Sequence, residues 1–167
     1  MSSLIHFGRI LPLVLWIGGI AFFAFVVAPV AFGKLPSTHE AGLVVGATLR
    51  VLHLVGLVCG AIFLLLSLTG YRRNLSQRLL LTEVVLAVSM LLVTGYSQFH
   101  VLPAMERDRA AAGGEIDAVA ASDPARAHFE GLHKLSERLE GFVLFGGLAL
   151  LFAVSSEGGG VVRPLES

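Results

Sequence analysis

The sequence predicts an all-α integral membrane protein folded as one four-helix bundle. Three observations carry that prediction. Hydrophobic residues make up 55% of the 167-residue chain and charged residues only 14%, where soluble domains average about 45–50% and about 25%. Mean hydropathy is +0.81. The apolar excess is also gathered into long runs separated by short polar or glycine-rich stretches, and runs near 20 residues are what a bilayer-crossing helix requires.

The first helix is expected over roughly 5–32. Residues 10–32 contain no charged side chain. That is long enough to span and longer than the ~7–15-residue apolar core of a cleaved signal peptide. Pro12 and Pro29 predict kinks, Gly18 and Gly19 permit close backbone approach, and Trp16, the single tryptophan, is expected to pack inside. Residues 33–40 read as a polar turn.

The second helix is expected over 41–69. Gly42, Gly46, His53, Gly56, Gly60 and Ser67 fall on one stripe at about 100° per residue. Two GxxxG pairs in register with the helix's interior histidine predict that His53 faces the bundle. The third helix is expected over 79–101, ending before Pro103. Glu83, Ala87, Met90, Thr94, Ser97 and Gln98 share one of its sides. Residues 106–122 read as a flexible connector with its tip at Gly113 and Gly114.

Ser122-Asp123-Pro124 is a helix-start signal, with a capping oxygen and a proline near the first helical position. It opens the fourth helix, expected over 123–155, whose first turns form an amphipathic extension. Phe129, Leu132, Leu135, Leu139 and Phe142 lie on one side of it. Arg126, Glu130, His133, Glu137 and Glu140 line the other. The apolar stretch 141–154 is shorter than a span, so this helix must draw Glu140, Glu137 and His133 to membrane depth or its boundary, where charged groups face a protein interior or a wet cavity. Residues 157–167 read as a loose tail on this single domain, 1–167.

Four spans place both termini and the loop carrying Arg72, Arg73 and Arg78 on one side, beside Arg9. The opposite short loop offers Lys34. The positive-inside rule then favours cytoplasmic termini, with a bacterial inner (plasma) membrane as the expected location. At 1.5 Å rise per residue, Glu140 lies about 21 Å from the cytoplasmic end, His53 about 24 Å, Glu137 about 26 Å, Arg50 about 28 Å and Gln98 about 29 Å. His100 and His133 come at roughly 32 Å. Polar groups from three helices thus reach the same outer half, and Arg50, His53, Gln98, His133, Ser136, Glu137 and Glu140 form the candidate ligand site. Arg50 is expected to pair with Glu137 or Glu140. A smaller inner group, His6, Arg9 and Glu83, is expected to hold an Arg9–Glu83 pair that snorkels to the interface. His128 is expected to pack as a neutral side chain, and His39 to be solvated.

Several function classes lose support. Twelve basic and twelve acidic residues cancel, which argues against a nucleic-acid partner held through phosphate neutralisation. The single cysteine, Cys59, excludes an internal disulfide, a paired-thiol site and a Cys-rich zinc site. No Walker-type loop, GxGxxG or GxSxG elbow is present. Glu137 and Glu140 could serve as acid and base, but carboxylates at that spacing are common on amphipathic helices, and no enzymatic activity is expected. No cofactor or metal is expected either, because no two histidines stand three or four apart. Haem or metal on His53, His100 and His133 is kept as an alternative, imidazole being a transition-metal ligand. The leading expectation is binding or transport of a small polar or ionic ligand. A structural or assembly subunit, using the glycine stripes against a partner helix, is the other. The bilayer is the one partner that composition dictates; oligomeric state is not set by the sequence.

Leu15-Trp16-Ile17-Gly18-Gly19, then Val27-Ala28-Pro29-Val30-Ala31-Phe32, then 98–103 with the charged run after it, and finally Phe129 leading to His133-Lys134-Leu135-Ser136, together form a pattern. It resembles the transmembrane-protein-205-like family, whose bacterial members are mostly described as a domain of unknown function. The resemblance covers about residues 5–154 and implies a four-helix membrane domain, with His133 and Ser136 as positions of interest. The family pattern has His-Gly-Leu-Ser followed by an asparagine. Here Lys134 stands for the glycine and Glu140 for the asparagine, which puts a formal charge where the family has a neutral amide.

Overall fold

The structure, a computed structural model, describes residues 3–70 and 77–156. The expected basic loop at Arg72 and Arg73 and the expected tail 157–167 lie outside the described residues, as does the side chain of Arg78. Four rods cross the molecule, Leu4–Lys34, Thr38–Thr69, Leu80–Ala111 and Pro124–Ser156, each long and apolar enough to cross a membrane. At 1.5 Å per residue such rods measure about 48 Å against a hydrocarbon core of about 30 Å, so their ends project beyond it. The end of the bundle bearing the turn after Lys34 is termed the outer end, and the opposite end the inner end.

Two rods are interrupted by a wider turn. The first consists of α1 (Ser3–Phe22), a π-helical turn (Phe23–Val27) and α2 (Ala28–Lys34). The second rod is α3 (Thr38–Gly70). The third consists of α4 (Gln77–Tyr96), a π-helical turn (Ser97–Val101) and α5 (Leu102–Ala111). The fourth is α6 (Pro124–Ser156). Both π turns sit just before a proline, Pro29 and Pro103. A helix-interior proline lacks its N–H and pushes on the carbonyl four residues back. Widening to i→i+5 bonding, with Ala28 N–H donating to Phe23 O and Leu102 N–H to Ser97 O, lets each rod continue.

The third rod therefore does not end before Pro103, as the sequence suggested, and Glu106 to Ala111 belong to a helix and not to a connector. After α5 the chain turns at Gly113 (φ 79°) and Gly114 (φ 102°), left-handed conformations that favour glycine. It then forms a 3₁₀ turn at Ile116–Ala118. That turn is tied down: Ile116 is buried, Arg126 Nη1 donates to Val119 O at 2.8 Å, and Thr38 Oγ1 donates to Asp117 Oδ2 at 2.6 Å. The second rod starts three residues earlier than expected, at Thr38, because Ser37 Oγ accepts the Glu40 N–H at 3.1 Å. Asp123 caps α6 as expected, its Oδ1 accepting the Ala125 N–H at 2.8 Å.

In the bundle, α1 packs on α3 and α6, and α4 packs on the same two. The main core is built from Leu13, Trp16, Ile17, Phe63, Met90 and Val143 with their neighbours. Trp16 is 1% exposed and lies on the second GxxxG pair. A Cβ at Gly56 would strike the indole, and one at Gly60 would come within 2.6 Å of Leu91 Cδ2 and 2.7 Å of Trp16 Cζ3. These two glycines are thus covered from within the chain and present no surface to a partner helix. Gly147 does the same service opposite Ile17.

The arrangement of polarity is that of a membrane protein. Phe7, Phe22, Phe25, Phe99, Phe145 and Phe152 are exposed around the outside, while Arg9, His53, Ser67, Glu83, Thr94, Ser97, Gln98 and Ser136 are buried. Arg9, expected to snorkel, is wholly enclosed. Its Nη2 lies 2.5 Å from Glu83 Oε2, its Nε donates to Ser67 Oγ at 3.1 Å, and its guanidinium stands over the Phe63 ring at 5.7 Å. The expected Arg9–Glu83 pairing holds, but in the interior.

Candidate functional site

The outer half of the bundle is open. A cavity of about 1410 Å³ runs from Ile20, Phe23 and Leu144 at its base to Thr38, Asp117 and Arg126 at its mouth. Its apolar lining includes Phe23, Leu49 and Leu102, a second, smaller core cluster assembled where the two π turns meet α3. α2, beyond the first π turn, packs on α3. The wall toward α6 carries the charged run that the sequence singles out.

Five of the seven predicted site residues line this cavity: Arg50, His133, Ser136, Glu137 and Glu140. Ser136 is buried, Glu140 is 15% exposed, and His133 and Glu137 stand at the open side, 3.4 Å apart as an i, i+4 pair. His53 lies behind Glu140, 1% exposed, with Nε2 donating to Glu140 Oε1 at 2.5 Å. Gln98 is placed elsewhere: it is buried in the second π turn and lines a shallower cleft with Arg50, Pro103 and Glu106.

Arg50 pairs with neither Glu137 nor Glu140. Its Nη2 faces Glu106 Oε2 at 3.6 Å, and Arg109 Nη1 approaches the same oxygen at 3.6 Å. The continuation of the third rod past Pro103 is the reason, since it brings Glu106 and Arg109 up beside α3. Arg109 is 12% exposed, lies over the Phe129 ring at 5.4 Å, and its Nε is buried without a protein partner among the described residues. Arg126 bonds Glu130 at 3.1 Å on the opposite wall. Glu106, Arg109 and Arg126 are the site residues that sequence reasoning missed. Their signal was present in the spacings 106/109 and 126/130, which place opposite charges on one helix face.

Other histidines part from expectation. His128 is exposed and bonded to Asp108 at 2.8 Å; it is not packed against Leu132 and Leu139. His39 belongs to the first turn of α3, half-buried, with its Nδ1 enclosed. His100 is exposed and stacks on Tyr96 at 5.6 Å, away from His53. His53, His100 and His133 therefore do not converge, and the described residues contain no group of three or more His, Cys, Asp or Glu able to hold a metal ion. Three further buried polar atoms lack a protein partner among the described residues: His53 Nδ1, Ser97 Oγ and Gln98 Oε1.

The inward face of α6 runs through Ser136, Val143, Gly147, Leu150 and Val154, with Phe142 exposed. The polar line Arg126, Glu130, His133, Glu137 and Glu140 turns to the cavity, which Phe129 also lines, while Leu132, Leu135 and Leu139 are half-buried.

The family described as a domain of unknown function (DUF4149) matches residues 11–113, the greater part of the chain. The chain belongs to the DUF4149 family. No curated protein and no solved structure matches it. The DUF4149 match takes in Trp16, Arg50, His53, Gln98, Glu106 and Arg109, both π turns and the outer turn at Gly113. It ends before α6, so the His133-to-Ser136 segment lies beyond it.

Proposed function

We propose that this DUF4149 protein is a non-enzymatic protein of the bacterial inner membrane, both termini cytoplasmic, that binds or transports a small polar or ionic ligand through its outer cavity. We further propose that its kinship extends to the transmembrane-protein-205-like proteins, on the His133-to-Ser136 segment. The observation that carries the functional reading is the cavity of about 1410 Å³ walled by Arg50, His133, Ser136, Glu137 and Glu140. Charged groups at membrane depth are costly and mark ligand or ion pathways when they face a cavity. A large pocket with apolar walls and a few convergent polar groups is the usual form of a ligand site. The assembly-subunit reading has less behind it, since Trp16 covers Gly56 and Gly60.

Native mass spectrometry of the protein released from its own membranes tests the proposal. The comparison is Gly46→Phe: Gly46 lines the cavity, and a Cβ there meets nothing within 4 Å. The expected result is a bound small-molecule adduct on the parent chain that is lost from Gly46→Phe at unchanged thermal stability. An adduct-free parent chain, or equal adducts on both, contradicts the reading.

A further inference from the structure

We infer that the occupant of the outer cavity is an amphiphile with an anionic head and an apolar chain, its head held between Arg50 and Arg109. The inference rests on the reading of this cavity as a binding site and names the class of ligand. Size is the first reason: about 1410 Å³ exceeds the ~300–1,000 Å³ of ordinary small-molecule pockets. The second is that the lining is mixed: Ile20, Phe23, Leu49, Leu102 and Leu144 supply apolar wall beside the ionisable groups.

The third reason is how the charges are satisfied. The cavity's carboxylates mostly have partners of their own: Glu130 bonds Arg126 at 3.1 Å, Asp117 accepts from Thr38 at 2.6 Å, Glu140 accepts from His53 at 2.5 Å, and Glu137 lies 3.4 Å from His133. Arg50 and Arg109 share the single carboxylate of Glu106, each at 3.6 Å. That distance is beyond a hydrogen bond. Arg109 Nε, enclosed and without a protein partner among the described residues, adds an unused donor at the same place. The formal charges of the lining do not sum to a positive value; its enclosed unused donor lies at these two guanidiniums, and the exposed Lys134 is a further cation of the lining. Such a fork matches a carboxylate or phosphate head.

Depth is the fourth reason. Arg50 stands about 28 Å along α3 from its inner end, close to the upper boundary of the ~30 Å hydrocarbon core. Ile20 and Leu144, about 24 Å and about 15 Å from the inner ends of their helices, line the same cavity at lower levels, so a chain reaching them leaves its head at the height of the guanidiniums. A free anion would leave the apolar wall uncovered, and a neutral oil would leave the donors unused.

The test is photolabelling of the full chain in phosphatidylcholine nanodiscs with a diazirine-bearing fatty acid, the labelled peptides being mapped by mass spectrometry. Saturable labelling is expected around Phe23, Leu49 or Leu102. Oleate should suppress it at least about tenfold, and methyl oleate and inorganic phosphate should not. Arg50→Gln with Arg109→Gln should raise the half-saturating concentration about tenfold or more, as loss of charge-assisted hydrogen bonds does. Gly46→Phe should remove the labelling, and a cooperative thermal melt of the arginine variant near the parent's temperature shows that it is folded. Competition by methyl oleate equal to that by oleate shows an apolar site only and overturns the inference. Competition by inorganic phosphate shows a small-anion site and overturns it too, while the binding-site reading stands. Labelling of the parent chain that does not saturate overturns the inference alone when the native adduct is present, and both readings when it is absent.

Discussion

Replacing Glu83 with glutamine should be the most damaging single change in the inner half of the bundle. Arg9 is 0% and Glu83 3% exposed, and their charged atoms are 2.5 Å apart. Glu83→Gln keeps the shape and removes the charge that compensates an enclosed guanidinium. Breaking a buried pair from one side costs about 3–5 kcal/mol, whereas replacing both members with apolar residues of similar volume is often neutral. At about 2–4 °C per kcal/mol for a chain of this size, the single variant should melt roughly 6–20 °C lower. Arg9→Met with Glu83→Leu should recover most of the loss. Cys59 supplies the assay: it is the one cysteine and 6% exposed, so a thiol-reactive dye reports unfolding of the detergent-solubilised protein. A Glu83→Gln protein that melts with the parent, or a double variant that falls as far as the two single losses added, would refute the reasoning.

The same geometry sets three further outcomes. Glu140→Ala should cost about 1–3 kcal/mol, because it leaves the enclosed His53 without its acceptor; Glu137→Ala, at an exposed position, should stay within about 0.5 kcal/mol. The thiol-dye melt separates the two. Gly60→Val should destabilise by about 1–3 kcal/mol through contact with Leu91 and Trp16, and Trp16→Leu should relieve part of that loss in the same melt; Gly18→Ala, in open space, should be neutral or slightly stabilising. Asp123→Ala should cost about 0.5–2 kcal/mol by removing the α6 cap, and should speed amide exchange in the first turn after Pro124.

Much of the fold is legible in the sequence because hydrophobic run length and glycine spacing act locally. The four spans, the inward His53, the packed Trp16 and the Asp123 cap come from such short-range signals, and the Arg9–Glu83 pair from matching levels on two helices. The main departures share one origin, which is Pro103. A proline inside a helical pattern reads as a stop, and only the surrounding bundle shows that a π turn absorbs it. Ending the third rod early hides Glu106 and Arg109, and with them the true neighbour of Arg50. The Ser37 cap is present in the Ser-x-x-Glu spacing to Glu40, although the polar stretch around it reads as a turn. Distances between helices are not encoded in any one helix, so depth along each helix gathers the site residues without saying which touch. The contact of His53 with Glu140, and the placement of Gln98 on a separate cleft, depend on the packing.

The central claim is that the polar line of α6 faces an open cavity at the outer end of a membrane bundle. Substituted-cysteine labelling tests it most directly. In a Cys59→Ala background, Gly141→Cys, which lines the cavity with open space at its Cβ, should react in intact cells with a membrane-impermeant maleimide. Thr94→Cys, buried in α4, should not. Adding Gly46→Phe should slow the Gly141→Cys reaction. Labelling of Gly141→Cys only after the membrane is dissolved, or at a rate indifferent to Gly46→Phe, would contradict the account.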